Sequence, residues 1–362
     1  MRKNVFTSIG AVLLLTAGLV IYSSCKKNAS APTGQNTTEA KAYDNSLKPL
    51  TNNPQQNEDQ TFAAQVLNVN DNGDGSFDVA LNRHELMFTT SDAALKDFLT
   101  DAMRSNKTLK ITANPWSGVI NGASVYTTGT ANTGLTSGNP VNIDLTSVSD
   151  EKLNNLNENN PVFSQMPINI TEGNLAAAIP DMATAQTIFN YFASQCCALG
   201  GPFSIDYCMS FQYCQDGCYA RAHKMCWILN NKYHYATQKI FSFANSGSDK
   251  LCVQAQKWGG CCIRWWYHVA PLVTINTPTG QKAYVFDPAM FDAPVPLATW
   301  LHAQENPVCQ PTGSRAHVSM IAIQPTASYS PANYAGTRFD TDPVYADTDT
   351  TMVHYRPLAS CP

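Results

Sequence analysis

The residues of this chain best suited to covalent chemistry are a cysteine, a histidine and an aspartate in its C-terminal half. Cys218 lies in the run Asp-Gly-Cys-Tyr-Ala-Arg-Ala-His, His268 in Trp-Tyr-His-Val, and Asp287 in Val-Phe-Asp-Pro. A thiolate attacks a carbonyl carbon while an imidazole carries the proton and a carboxylate orients the imidazole. The order of the three residues therefore predicts acyl transfer on a carbonyl or carboxamide.

A predicted helix from Cys218 to about residue 230 would place the cysteine at a helix N-terminus. The unpaired N–H groups and the dipole at that end stabilise a thiolate, so we expect a lowered pKa for the Cys218 thiol. The same N–H groups can stabilise an oxyanion. Gly217 permits the tight turn into the helix. The apolar spacing of the helix predicts one buried face.

Two predicted strands position the histidine and the aspartate. His268 lies in an apolar strand over residues 262–275, and Asp287 ends the strand over residues 282–286. A turn at residues 276–280 joins them into a hairpin, and neighbouring strands place side chains about 5 Å apart. Asp287 is therefore expected to accept a hydrogen bond from His268. His223 is an alternative base, but its spacing from Cys218 favours a surface or packing role.

Three aromatic residues precede His268 directly, namely Trp265, Trp266 and Tyr267. They are expected to wall a substrate slot, with core packing as the alternative. Each residue of the proposed triad also has a plain structural explanation. A cysteine in such a region is usually half of a disulfide, a buried histidine is often a core residue, and Asp-Pro is often a turn.

The N-terminus predicts export. Arg2 and Lys3 precede an apolar run over residues 9–21, which is short for a membrane span. Small residues and then Cys25 follow, an arrangement that resembles the lipobox of a bacterial lipoprotein apart from Tyr22. We therefore expect a signal peptide over residues 1–24 and lipidation at Cys25, with ordinary signal cleavage as the alternative.

The chain has 12 cysteines, and all except Cys25 lie between Cys196 and Cys361. An oxidising compartment favours disulfides, so the ten that remain beside Cys218 are expected to pair. The adjacent pairs Cys196-Cys197 and Cys261-Cys262 are expected to bond to distant partners. The spacing does not match a zinc site, and no metal or cofactor is predicted.

Lysine and arginine form no basic stripe, which argues against nucleic acid.

The composition divides the chain into parts. Residues 25–60 are predicted to be a flexible tether. Residues 61–174 contain no cysteine and predict a small α+β unit: a hairpin of strands 62–69 and 76–81 around an Asp- and Gly-rich turn, a helix over 91–103 capped by Ser91, and strands near 109–112 and 123–126. Residues 175–362 predict a second α+β unit with a helix after Asp181, strands over 239–244, 262–275 and 282–286, and a tail of loops and edge strands.

The runs at residues 216–225, 261–262, 267–270 and 287–291 resemble those of bacterial protein-glutaminase, an exported enzyme that deamidates glutamine side chains in intact proteins. Residues 175–181 resemble the start of its mature form. The similarity extends from there to about residue 291 and is looser in the tail.

The resemblance implies a papain- and transglutaminase-like α+β catalytic domain over residues 175–362, with Cys218 as nucleophile, His268 as general base and acid, and Asp287 as orienting carboxylate. It also implies that residues 61–174 are an inhibitory pro-domain removed by an activating protease. Glutamine in substrate proteins would form a thioester, lose ammonia and be hydrolysed to glutamate. Together with the lipobox-like N-terminus, this predicts a periplasmic or outer-membrane lipoprotein precursor tethered through Cys25. The mature enzyme would be secreted after removal of the pro-domain.

Other functions stay open on the sequence. A transglutaminase would use a lysine amine in place of water. A papain-like protease would use the same nucleophile, although such proteases usually orient the histidine with asparagine. A non-catalytic, disulfide-rich surface-binding lipoprotein would hold Cys218 in a disulfide.

Overall fold

The computed structural model describes residues 58–126, 135–137, 145, 149–154, 175–194, 209, 211, 213–255 and 260–355. The predicted signal peptide, Cys25 and most of the tether lie outside these residues. Among the residues described, no helix combines the length and the apolar character needed to cross a membrane.

The N-terminal region (residues 58–154) contains a five-stranded antiparallel sheet in the order β3-β2-β1-β4-β5. Its elements are β1 (Gln60–Asp71), β2 (Phe77–Leu81), β3 (Phe88–Thr90), α1 (Ala93–Arg104), β4 (Thr108–Ala113) and β5 (Ile120–Val125), followed by β6 (Leu135–Ser137) and α2 (Asp150–Asn154). The predicted β1–β2 hairpin is confirmed. The cap of α1 is Asp92 and not Ser91, because the Asp92 carboxylate accepts from the N–H groups of Ala94 and Leu95.

Two helices begin the C-terminal region (residues 175–355), α3 (Met182–Ala193) and α4 (Cys218–Asn231). Asp181 caps α3 as predicted, accepting from the Thr184 N–H at 2.7 Å. The start of α4 at Cys218 is also as predicted. The single buried face predicted for α4 is wrong, because even Arg221, His223 and Lys224 are buried. Strand β10 on one side and α6 and β15 on others enclose the helix.

A five-stranded antiparallel sheet in the order β12-β11-β10-β7-β14 lies under these helices. A second sheet has the order β13-β8-β9. The strands are β7 (Gln238–Phe243), β8 (Asp249–Ala255), β9 (Cys261–Trp265), β10 (Tyr267–Thr277), β11 (Gly280–Val285), β12 (Val295–Pro296), β13 (Arg315–Ala316) and β14 (Met320–Pro325). Helix α5 (Leu297–His302) and a 3₁₀ turn at Pro307–Cys309 lie between β12 and β13.

The strand predicted over residues 262–275 is in fact two strands in two sheets, separated at Trp266. At this corner the Trp266 N–H donates to the carbonyl of Glu85, which belongs to the N-terminal region, at 3.0 Å. The β10–β11 hairpin is confirmed, with Thr277 opposite Gly280.

The tail contains more regular structure than predicted. After β14 it forms β15 (Ser328–Pro331), β16 (Arg338–Thr341) and the helix α6 (Ala346–Tyr355). Strand β16 pairs with β6 of the N-terminal region. A buried ion pair, Lys250 Nζ to Asp78 Oδ2 at 2.5 Å, joins the same two regions.

The cysteines only partly follow the prediction. Cys262 is bonded to Cys309, and Cys261 is also disulfide-bonded, so this adjacent pair does bond to distant residues as expected. Cys214, Cys226 and Cys252 carry thiols, so the expected pairing of all ten cysteines is wrong for these three. The others, Cys196, Cys197, Cys208 and Cys361, lie outside the described residues.

Candidate active site

The N-terminus of α4 begins with a left-handed turn at Gly217, whose φ is 96°. A Cβ there would lie 2.9 Å from Cδ2 of Tyr355. Both the backbone angle and the close ring require glycine, since other residues avoid positive φ. Gly217 therefore makes Cys218 the first residue of the helix. The Cys218 N–H has no partner within the helix and can bind a group outside it.

His268 lies near the start of β10 and is 1% exposed. Its Nε2 is 2.8 Å from Oδ2 of Asp287, which follows β11. The same oxygen accepts a hydrogen bond from Trp300 Nε1 at 2.9 Å. The Trp265 ring stacks on the imidazole with centroids 4.2 Å apart. Asp287, Trp300 and Trp265 together fix the orientation of the imidazole.

The structure brings Cys218 to this pair. Cys218 Sγ, one nitrogen of His268 and one carboxylate oxygen of Glu85 all lie within 4.8 Å of one another. Cys218, His268 and Asp287 therefore occupy one buried site, as the order of elements predicted. Their catalytic roles stay predictions at this point.

Glu85 fills the space between the cysteine and the histidine. Its side chain is fully buried, with Oε1 accepting from the Cys218 N–H at 3.3 Å and Oε2 lying 3.1 Å from His268 Nδ1. The Arg221 guanidinium is 3.5 Å from Oε1. A carboxylate thus stands where a reacting acyl group would meet both a thiol and an imidazole.

The segment that carries Glu85 binds as a short strand at the β9–β10 corner. Besides the Trp266 bond, the Met87 N–H donates to the Arg264 carbonyl at 3.1 Å, and the Glu85 N–H donates to Asp216 Oδ1 at 2.9 Å. Trp266 Nε1 donates to the His84 carbonyl at 2.6 Å. Backbone bonds on both sides of Glu85 hold its side chain in the site.

The electrostatics differ from the prediction for the cysteine. Burial, and then the neighbouring Glu85 carboxylate, raise the pKa of Cys218 well above its ordinary value. The expected lowering by the helix N-terminus is wrong for this closed arrangement, because desolvation and a nearby negative charge both disfavour the thiolate. Cys218 is a neutral thiol here.

The histidine and the carboxylates form a charged group. Burial lowers the pKa of His268, but pairing with Asp287 and Glu85 outweighs it and raises the pKa to about 9. Burial raises the pKa of Glu85 despite His268 and Arg221. Burial also opposes ionisation of Asp287, yet His268 and Trp300 hold its pKa below the ordinary value. At neutral pH, His268 is therefore an imidazolium.

The predicted slot residues have different positions. Trp265 contacts the imidazole, and Trp266 contacts the Glu85 segment, so both lie at the site. The Tyr267 ring is fully buried among Trp266, Phe241 and Phe243, which matches the core-packing alternative. His223 is buried, and its Nδ1 is 2.6 Å from Lys239 Nζ. It is a packing residue and not a surface one.

Thiolate, imidazole and carboxylate are donors that Zn²⁺ accepts. Among the described residues, Glu85, Cys218 and His268 form one group close enough to share an ion. These are the same atoms that would meet an acyl substrate.

Sequence reasoning missed four side chains of the site. Asp216 and Arg221 stand in the run that contains Cys218, and the run could have suggested them. Trp300 and Glu85 are far from it in sequence. No local pattern distinguishes Glu85, because its place depends on how the N-terminal region docks.

The chain is similar to known glutaminases. The Glutaminase family model matches residues 185–304. The crystal structure of a pro-protein-glutaminase is similar over 84% of this chain and 95% of the other, with 24% identity and a TM-score of 0.59. A mutant of pro-protein-glutaminase is similar over the same shares, with 23% identity and a TM-score of 0.58. The NMR structure of protein-glutaminase from Chryseobacterium proteolyticum is 32% identical over 52% of this chain and 93% of that one, with a TM-score of 0.43. No curated protein matches the chain.

The fold and the family match show the class of protein to which the chain belongs. It is an enzyme with mixed α and β structure and antiparallel sheets. The family match over residues 185–304 supports glutaminase activity. The resemblance to protein-glutaminase that the sequence indicates is thereby confirmed.

Proposed function

We propose that this chain is the zymogen of a thiol-dependent protein-glutamine deamidase, in which Cys218 is the nucleophile, His268 the proton carrier and Asp287 the orienting group. The position of the Glu85 carboxylate supports this proposal most strongly. Glutamate is the product of glutamine deamidation. Glu85 contacts the Cys218 N–H and His268 Nδ1 as the glutamate of a product would. The catalytic region is proposed to be of the papain and transglutaminase kind.

The proposed first half-reaction begins with transfer of the Cys218 thiol proton to His268 Nδ1. The thiolate forms a C–S bond to the carboxamide carbon of a bound glutamine, and the oxygen takes the negative charge. That oxygen would accept from the Cys218 N–H, where Glu85 Oε1 now lies. The imidazolium then gives its proton to the amide nitrogen, the C–N bond breaks, and ammonia leaves.

The second half-reaction replaces ammonia by water. Water gives a proton to His268 and its oxygen attacks the thioester carbon. The C–S bond breaks, and glutamate and the Cys218 thiolate are released. Glu85 Oε2, 3.1 Å from His268 Nδ1, marks the place where leaving nitrogen and entering water would both lie.

The N-terminal region inhibits the enzyme in this proposal. It covers the site through Glu85 and closes off solvent, so Cys218 and His268 are nearly inaccessible. Activation would require cleavage between this region and α3, near residue 175, followed by release. Export as a lipoprotein precursor through Cys25 stays a prediction.

The test is ammonia release from an unfolded, glutamine-containing protein by the full chain after limited proteolysis. The proposal predicts release with substrate chains neither cut nor crosslinked, and none by Cys218→Ala treated alike. Crosslinking would favour a transglutaminase, new chain ends would favour a protease, and activity in Cys218→Ala would refute the nucleophile.

A further inference from the structure

The two residues before Glu85 point to a substrate preference. In the N-terminal region, Arg83 and His84 precede Glu85 directly, and both contact carboxylates of the C-terminal region. Because Glu85 stands where the glutamine of a substrate would lie, Arg83 and His84 occupy the places of the two preceding substrate residues. Their surroundings therefore describe two subsites.

The subsite next to the glutamine is built around Asp216. Its Oδ2 accepts from His84 Nδ1 at 2.6 Å and from the Tyr355 hydroxyl at 2.7 Å. The Asp216 side chain is 2% exposed, while His84 keeps 12%. Oδ1 accepts from the N–H groups of Glu85 and Gly217 at 2.9 and 2.8 Å. One carboxylate thus aligns the backbone at the glutamine and also receives the preceding side chain.

The subsite one residue further away is a pair of aspartates. Arg83 Nε lies 3.3 Å from Asp340 Oδ2, and its NH1 lies 2.8 Å from Asp347 Oδ2. The Arg83 side chain is 25% exposed, so this pair is only partly shielded from water. These carboxylates raise the pKa of Arg83 although burial opposes them. Asp340 lies on β16 and Asp347 in the first turn of α6, so the C-terminal region itself supplies both charges.

We propose that these three aspartates select substrates in which basic or hydrogen-bond-donating residues, such as Arg-His or Lys-Lys, directly precede the glutamine. This inference rests on the proposed function. The overall charge of the C-terminal half is nearly balanced, and the preference comes from a local concentration of carboxylates. Two acidic residues at these substrate positions would place like charges together in a partly buried site.

The experiment compares three blocked peptides of equal length as substrates for the full chain activated by limited proteolysis. One has the sequence of residues 83–87 with glutamine in place of Glu85. The other two replace its Arg-His by Ala-Ala or by Glu-Glu. We expect kcat/KM for ammonia release to be about tenfold higher for Arg-His than for Ala-Ala, a difference of about 1.4 kcal/mol. The difference should lie mainly in KM, with Glu-Glu the poorest substrate.

Variants that remove single charges show whether the preference comes from this subsite or from peptide binding in general. Asp347→Asn should lower the ratio of Arg-His to Ala-Ala, and Asp340→Asn gives a second readout at the same subsite. Asp349→Asn is the matched control on α6, because Asp349 pairs with Lys224 at 3.3 Å and not with Arg83. The control should keep the ratio of the unchanged enzyme. Raising the ionic strength should also reduce the preference, since salt screens partly exposed charges.

The outcomes distinguish the two proposals. Three outcomes would overturn the preference and leave the deamidase function standing. The three peptides could react at equal rates, or the Glu-Glu peptide could react fastest. Ammonia could also be released from an unfolded protein but from none of the peptides. Ammonia from neither the peptides nor the protein would count against the proposed function itself. A ratio that falls equally in Asp349→Asn and Asp347→Asn would also overturn the subsite.

Discussion

Glu85 and a deamidated glutamine present the same group to the site, a carboxylate at the end of a two-methylene chain. Its two oxygens meet two different partners, the Cys218 N–H and the His268 imidazolium. In the proposed reaction, the oxygen of a substrate glutamine would face the Cys218 N–H and be retained. Its NH₂ group would face His268 and leave as ammonia.

Charge at the residue scale also gives a reason why the closed form would be inactive, as the proposed zymogen requires. A carboxylate beside a buried thiol disfavours the thiolate, and it stabilises the imidazolium, which cannot accept the thiol proton. A neutral glutamine in the same place would lack the negative charge. We therefore expect the cysteine and histidine to become competent only when Glu85 leaves.

Gly217 is the residue on which the position of Cys218 depends. Gly217→Ala should lower the free energy of unfolding by more than the roughly 1–2 kcal/mol of a left-handed alanine, because its Cβ would also meet the Tyr355 ring at 2.9 Å. Activity after proteolysis should fall as well. Urea unfolding followed by fluorescence measures the first effect, and ammonia release the second.

Gly280→Ala provides the matched control. Gly280 has a φ of 107° but nothing lies within 4 Å of its Cβ position. Its substitution should cost only the backbone strain and leave activity unchanged. Equal losses of stability in the two variants would contradict the role given to the ring contact.

At the scale of elements, the site is the junction of the N-terminus of α4 with the β9–β10 corner. The corner leaves the Trp266 N–H and the Arg264 carbonyl available to a third strand, and the segment around Glu85 takes them. Such strand addition combines backbone bonds with a side-chain pocket, which suits an enzyme that acts on segments of other proteins.

Removal of the covering segment should therefore change the reactivity of one particular thiol. In the full chain, we expect slow alkylation of Cys218 by iodoacetamide, because the thiol is buried and its pKa is raised. After limited proteolysis, the rate should rise at least about tenfold, since exposure and a lower pKa both favour the thiolate. Peptide mapping by mass spectrometry at one pH follows the rate at each cysteine.

Cys252 serves as the internal control for this measurement. It is buried in β8, where it lies opposite Arg264 of β9, and burial raises its pKa to about 11. Its alkylation should stay slow before and after proteolysis. Rapid labelling of Cys218 in the untreated chain, or equal acceleration at both cysteines, would contradict the covering role of the segment.

Local signals in the sequence were sufficient to predict several elements. The Gly217-Cys218 boundary, the Asp181 cap and the β10–β11 hairpin depend on residues close in the chain, and the structure agrees with them. The break at Trp266 was missed, because an apolar run has no signal for a change of sheet. Helix α6 was missed too, because its sequence is largely polar, and only Thr348, Met352 and Tyr355 are buried where the helix packs on α4. Glu85 depends on docking between distant parts of the chain.

At the scale of the whole molecule, the N-terminal region contacts the C-terminal region at several separate places. Strand β6 pairs with β16, Asn154 Oδ1 accepts from the Ala298 N–H at 3.0 Å, and the buried Lys250–Asp78 pair joins the two sheets. In the proposed activation, release after cleavage would have to break all of these contacts as well as those of Glu85. The segment is thus held as part of the fold and not as a loose peptide.

The charged group at the site makes the stability of the full chain depend on pH. The pKa of His268 is raised to about 9 from 6.5, so the folded state binds this proton more tightly. Its contribution is fully present below about pH 6.5 and is lost as the pH rises through about 9. Urea unfolding should therefore show that the stability advantage over His268→Gln shrinks by roughly 1–3 kcal/mol between about pH 6.5 and 10. An advantage that stays constant or grows with pH would contradict the imidazolium.

The central claim is that Cys218 attacks a carboxamide held where Glu85 lies. The most direct test replaces Glu85 by glutamine in the full chain and measures the mass of the purified protein. If Cys218 attacks a carboxamide held at this place, Glu85→Gln will either return to glutamate or stop as a thioester that has lost one ammonia. Mass spectrometry of the peptide containing residue 85 distinguishes both products from the starting amide, and Glu85→Gln with Cys218→Ala should keep its glutamine. A folded Glu85→Gln protein whose glutamine persists unchanged would contradict the account, as would conversion that proceeds equally without the Cys218 thiol.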